Sequence, residues 1–281
     1  CPMIAIAKPQ KRKTTPLPSS TPTLHSISPS GMKSYLSCPA KFYYEKILRV
    51  ETKVTPSLQL GRSFHAAMAG FQRSVMRADP MPAEEVKEIL RCDLLMAEEA
   101  VEYSNQAESD RILLKGDSLI DSFFESDLSC DGREVLGVEA HLQDQVKDSN
   151  ITLQGIADLI VAEEGNLVAV DFKTTASTPD PDLESWLNEI QLVAYVRLLE
   201  SSLNEKAEHC ELWFFVKTKV PKVIRHRLPK VSKVQRERFD QLLNNVIEGI
   251  GRGDFAPQPS FACRFCDFRN RCQSWKGGLP S

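Results

Sequence analysis

The stretch VDFKTT, Val170 to Thr175, sets Asp171 and Lys173 one residue apart in what otherwise reads as a buried strand. An ion taken out of water loses several kcal/mol even after relaxation. Such a strand therefore either lies at an exposed edge or matches its charges to something. Upstream, GIAD ends at Asp158, and EEGN between the two runs reads as a hairpin turn. A hairpin makes the two strands antiparallel neighbours, so Asp158, Asp171 and Lys173 can converge. Paired carboxylates raise each other's pKa unless a cation separates them, and a hard divalent ion such as Mg²⁺ takes carboxylate oxygens and water. A lysine beside that ion can hold the water that attacks phosphorus and offset the negative charge that develops there.

The elements that must position these residues follow from periodicity. Residues 1–27 are rich in Pro, Ser, Thr and Lys without hydrophobic period and read as a flexible tail. Residues 28–134 read as helices. Ser28 or Ser30 caps the first, Cys38-Pro39 breaks it, SLQLGRSFHAAMAGFQRSVMR carries His65, and a stripe from Val86 to Val101 marks a further amphipathic helix. Residues 135–255 read as three strands, a helix, two strands and a closing helix, and 256–281 as a cysteine-rich end. This order implies an α/β fold: a mixed sheet flanked by helices, with an N-terminal helical insertion. Taken singly, His65 is an ordinary partly buried residue, and Gln191 with Tyr195, four apart, an ordinary polar helix face. Glu139, in GVEAHL, is either a further metal ligand or an exposed acid.

A net charge of −3 argues against indiscriminate nucleic-acid binding over the whole surface. Lys217 to Arg238 is the exception, with nine Lys or Arg against one acid, Glu237. It reads as a phosphate-tracking face through Lys217, Lys219, Lys222, Arg225 and Arg227, or else as a solvated hairpin. No apolar run approaches the roughly 18 residues of a membrane span, and MIAIA is too short for a secretory core. A cytosol-like compartment is expected, as is a trimmed chain, because Cys1 stands where an initiator Met would.

CRFCDFRNRC places Cys263, Cys266 and Cys272 together, and LSCPAKFYY adds Cys38 far upstream. Zinc or an iron–sulfur cluster would satisfy four such thiolates, while disulfides are disfavoured in a reducing compartment. Cys92, Cys130 and Cys210 fall in apolar patterns and are expected to be buried packing residues.

GRSFHAAM, GIAD, DFKT and QLVAY occur in the order and spacing of the PD-(D/E)XK nuclease superfamily, and the chain resembles its RecB-like exonuclease branch over about residues 28–273. The resemblance implies a restriction-endonuclease-like core, with Mg²⁺ or Mn²⁺ on His65, Asp158 and Asp171. Lys173 is the implied catalytic lysine, and Gln191 with Tyr195 would order substrate phosphate or water. Ala157 stands where the eponymous proline would be. AddB-type and CRISPR adaptation nucleases of this branch share the one-plus-three cysteine pattern around a 4Fe–4S cluster, which the resemblance implies here, with zinc the alternative. The implied activity is a metal-dependent DNA exonuclease on single-stranded ends, serving recombination, repair or CRISPR spacer processing. A helicase or CRISPR adaptation proteins are the implied partners. The rival is a silent, nuclease-like DNA-binding subunit, which would be expected to lack an Asp or the Lys.

Overall fold

The computed structural model describes residues 24–275. Residues 1–23 of the expected tail and 276–281 of the cysteine-rich end lie outside the described residues. A six-stranded mixed sheet forms the centre. Its strands are β1 (Ser26–Ile27), β2 (Val135–Gln145), β3 (Thr152–Glu163), β4 (Asn166–Thr175), β5 (Ala207–Val216) and β6 (Lys222–Arg227). The antiparallel hairpin of β3 and β4 closes through Glu164 and Gly165 at φ 50° and 78°, the left-handed pair of a two-residue turn. β4 pairs with β5 in parallel, and β5 with β6 antiparallel. One edge of β3 is taken by β2 along nearly its whole length. The other meets β1 at Thr152 and Leu153, then β4 from Leu159 onward. Residues 154 to 158 between those pairings have no strand beside them on that edge, so the sheet forks there.

Alternation along the strands divides the apolar residues between two layers. Leu167 and Ala169 of β4, with Leu212, Phe214 and Val216 of β5, pack on one face. Their neighbours Val168, Val170, Phe172, Trp213 and Phe215 pack on the other. The first face is covered by α1 (Pro29–Ser37), α2 (Pro39–Phe42, running into a π-helical turn, Tyr43–Ile47), α7 (Glu189–Leu203, preceded by the short α6, Pro181–Leu187) and α8 (Lys233–Arg252). Ser28 caps α1 by accepting the Gly31 amide at 3.1 Å, and Ser232 with Gln235 forms a capping box on α8. The second face is covered by α3 (Pro56–Met76), α4 (Ala83–Met96) and α5 (Gln106–Phe124). Each strand side chain fully buried in this way contributes about 1.5–3 kcal/mol.

This arrangement corrects the expected organisation in two places. Helices α3 to α5 are one of the two layers rather than an insertion, since Leu60, Phe64 and Phe123 share a cluster with β3, β4 and β5. Ser26 and Ile27, placed in the tail by composition, form β1. Phe255 and Phe268 join the first-face cluster, so the C-terminal segment packs on the same core. No helix among the described residues is long and apolar enough to cross a membrane.

Candidate metal-dependent cleft at the strand fork

Leu159 and Val170 are the last paired residues before β3 and β4 part. Asp158 and Asp171 are the next residue on each arm. The fork leaves the Phe172 amide without a partner on β3, and Asp158 Oδ2 accepts it at 2.6 Å. Asp158 Oδ1 lies 3.3 Å from His65 Nδ1, which reaches over from α3. On β2, the ladder pairs Val138 with Leu159 and Ala140 with Ala157, so Glu139 stands opposite Asp158. Glu139 sits at φ 50°, a left-handed conformation that costs a non-glycine residue about 1–2 kcal/mol. Ligand atoms of His65, Glu139 and Asp158 all lie within 4.8 Å of one another. The choice the sequence left open for Glu139 thus falls on the site.

Asp171 points to the α7 side of the fork, as strand alternation requires. Gln191 Nε2 donates to its Oδ1 at 2.5 Å, and Lys173 Nζ pairs with its Oδ2 at 2.5 Å. Lys173 also donates to Gln191 Oε1 at 3.3 Å. Gln191 thereby holds both members of the Asp-x-Lys pair from behind. Tyr195, one turn on, is buried. Its hydroxyl donates to the Ile156 carbonyl at 2.7 Å and accepts from Gln191 at 3.4 Å. In the structure protein groups take up the polar atoms of Gln191 and Tyr195, and neither side chain lines the open cleft. Two glycines permit this closeness. A Cβ on Gly61 would come within 3.1 Å of Thr174 Oγ1, and one on Gly155 within 3.0 Å of Leu198.

The electrostatics are those of crowded acid. Burial, then the neighbouring Asp158 charge, pushes the Glu139 carboxyl above the ordinary carboxylate range. Burial also raises Asp171, and the Lys173 ammonium only partly opposes it. For His65, burial works against the charged ring, but the Asp158 hydrogen bond and the surrounding carboxylates outweigh it and its pKa rises. The cleft holds about 980 Å³ between α3 and the fork. Arg62, Ala66, Ala69 and Arg73 line it with His65. Sequence reasoning missed both arginines, although their spacing from His65 places them on one helix face. It missed Lys33 as well: the lysine donates to Asn188 at 3.3 Å, and burial, then the Lys173 charge, lowers its pKa.

The basic stretch divides. Lys217 lines the cleft. Arg225 and Arg227 instead turn toward buried Glu211 and toward Glu163, and neither they nor Lys222 line the cleft. Arg133 completes the network at 2.9 Å from Glu211. Burial opposes the Glu211 charge, but bonds from Arg133, Arg225 and Trp213 prevail and bring its pKa down to about 2.

Burial and then the charges of Cys38, Cys263 and Cys266 raise the Cys272 thiol, so the four sulfurs are electrostatic neighbours. The Ser260 amide donates to Cys263 Sγ at 3.3 Å. Among the described residues, no three of these sulfurs come within 4.8 Å of one another. Cys210 is buried as expected, while Cys92 is only partly buried and Cys130 is exposed. Cys130 lies in a short 3₁₀ turn after α5 rather than in a core-facing helix.

The sequence profile of the PD-(D/E)XK nuclease superfamily matches residues 26–273. A comparison with curated proteins gives no match. Among solved structures, a candidate exonuclease from Eubacterium rectale superposes with TM-score 0.60 at 14% identity, over 91% of this chain and 91% of its own. At that identity the likeness is one of fold. SSO0001 gives TM-score 0.44 at 15% identity over 90% and 89% of the two chains, too distant to carry an argument.

Proposed function

Because the chain belongs to the PD-(D/E)XK nuclease superfamily, we propose that it is a metal-dependent deoxyribonuclease of the RecB-like branch, acting as an exonuclease on single-stranded DNA ends. The observation that carries this reading is the meeting of Asp158, Asp171 and Lys173 with His65 and Glu139 in one open cleft. The donor set fits Mg²⁺ or Mn²⁺: one imidazole nitrogen and crowded carboxylates, two of them with raised pKa, form a site that a hard cation relieves. His65, Glu139 and Asp158 would hold the ion, with Asp171 as the further carboxylate. When bound, it supplies polarisation of the phosphodiester and a more acidic water.

The protein's own groups do the positioning. Lys173, aimed by Asp171 and Gln191, holds the attacking water and offsets negative charge growing on phosphorus. Arg62 and Arg73 on the cleft wall take flanking phosphates. Both aspartates and the lysine are present, which favours the enzyme over the silent DNA-binding subunit. Cys38, Cys263, Cys266 and Cys272 are assigned to a 4Fe–4S cluster. A helicase or CRISPR adaptation proteins are the proposed assembly partners.

End-labelled single- and double-stranded DNA digested with Mg²⁺ or Mn²⁺ tests the activity. Asp158→Ala or Asp171→Ala should abolish cleavage while DNA binding persists, and Lys173→Ala should do so with metal still bound. Full activity in either Asp variant would falsify the assignment.

A further inference from the structure

Beyond the cleft, the turn after β5 faces the middle of α5. A notch of about 240 Å³ opens there, lined by Arg111 and Lys115 from α5 and by Lys217 and Lys219 from the turn. No carboxylate lines it. Several arginines elsewhere sit against acids: Arg91 with Asp117, Arg133 with Glu211, Arg197 with Asp144, Arg236 with Glu200. Among the described residues, Lys115, Lys217 and Lys219 make no ion pair. Lys217 Nζ is held instead by Ser57 Oγ at 3.0 Å. Burial, then the like charge of Lys115, lowers the Lys217 pKa. Like charges gathered without an acid repel one another, and an incoming anion with several oxygens relieves that repulsion.

The notch is continuous with the site. The Lys217 amide donates to the Thr175 carbonyl at 2.7 Å, extending the β4–β5 pairing one step past Thr175 and Val216. Lys217 thus stands at the end of the neighbouring strand, just past Thr175, and it lines both the carboxylate cleft and the notch. Leu114, 65% exposed, offers an apolar wall beside the cations, suited to a sugar face. α5 lies far from the β5–β6 turn in sequence, so no local motif signals this convergence.

We propose that Arg111, Lys115, Lys217 and Lys219 form a phosphate-binding notch that grips the backbone of the same nucleic-acid strand whose scissile phosphodiester lies at Asp158, Asp171 and Lys173. The proposal rests on the nuclease reading and adds to it the direction in which the strand leaves the cleft.

The test is fluorescence anisotropy in EDTA, with labelled oligothymidylates of about 4 and about 16 nucleotides, on the full chain and its Lys115→Ala/Lys219→Ala variant. The longer strand should bind about 10-fold more weakly to the variant, with its log–log salt slope flattened by about 1.4 for two lost contacts. The shorter strand and the thermal midpoint should be unchanged. Arg111→Gln should shift the longer strand in the same direction. An unchanged affinity and slope for the longer strand, with the wild type binding it, overturns the notch and leaves the nuclease reading standing. A wild type that binds neither strand overturns the nuclease reading, and the notch with it. Inorganic phosphate is the remaining probe. If it raises the midpoint of the wild type but not of the variant, while both bind the longer strand equally, the notch holds a free anion and the strand proposal fails.

Discussion

Gln191 reaches the chemistry only through other side chains. Its amide donates to Asp171 and its carbonyl accepts from Lys173, so one residue sets both the carboxylate and the ammonium that face the cleft. Partners of this kind typically affect rate or metal affinity by about 10–100-fold. Gln191→Ala should therefore lower the single-turnover cleavage rate by about 10–100-fold and leave DNA affinity unchanged. Gln191→Glu should be worse, because it sets a carboxylate against Asp171. Rapid-quench kinetics beside anisotropy separates the two quantities; equal losses in rate and in affinity would mean that Gln191 touches substrate after all. Tyr195 plays a supporting part, since it spends its hydroxyl on the Ile156 carbonyl and on Gln191. The Gln-x-x-x-Tyr spacing was legible in the sequence. Which way the pair faced was not, because a helix face acquires its meaning from the strand it packs on.

At the scale of elements, the β5–β6 hairpin carries two kinds of cation. Its turn, with Lys217 and Lys219, faces α5 and the cleft. Its strands carry Arg225 and Arg227, which close on buried Glu211 with Arg133. Removing one partner of such a buried pair costs about 3–5 kcal/mol. Glu211→Gln should lose about that much in denaturant unfolding at neutral pH. The sign with pH follows from the depressed carboxyl. The stability Glu211 provides is complete above its ordinary value of 4.5 and drains away as pH falls toward about 2. Wild type and variant should therefore converge in stability across that interval; a constant gap between them would refute the network's role. Arg225→Ala/Arg227→Ala should likewise lower the thermal midpoint, with little change in the salt slope of DNA binding. The hairpin itself was legible from period and turn residues. The employment of its arginines was not, since Glu163 and Arg133, which share the network with Glu211, lie outside the hairpin.

Over the whole molecule, the proposed cluster would tie the start of the described fold to its end. Cys38 sits between α1 and α2, Cys272 in the short helix Arg269–Gln273, and Cys38 and Cys266 pack beside the first-face layer, where Tyr44 meets Phe268 at 5.4 Å. Closing so long a loop removes roughly 5 kcal/mol of unfolded-chain entropy on (3/2)RT ln n scaling. Protein purified without oxygen should be brown, and Cys38→Ala or Cys266→Ala should bleach it and lower the thermal midpoint by several degrees. Colourless protein with stoichiometric zinc would replace the cluster but keep the tie. The family resemblance brought in His65, 93 residues from Asp158; the sequence by itself determined the α/β order, the β3–β4 hairpin, and the convergence of Asp158, Asp171 and Lys173. Those features rest on alternation, turn chemistry and short spacings, which neighbouring residues carry between them. Only the tertiary structure decided that α3 to α5 are a layer of the core, that Glu139 closes the site, and that Gln191 works from behind. It alone decided which cations stay free, sending Arg225 and Arg227 to Glu211 and bringing Arg111 and Lys115 to Lys217. The physical reason is that charge pairing is settled by whatever the fold brings within a few ångströms, and residues distant along the chain meet only once the sheet and both helical layers are in place.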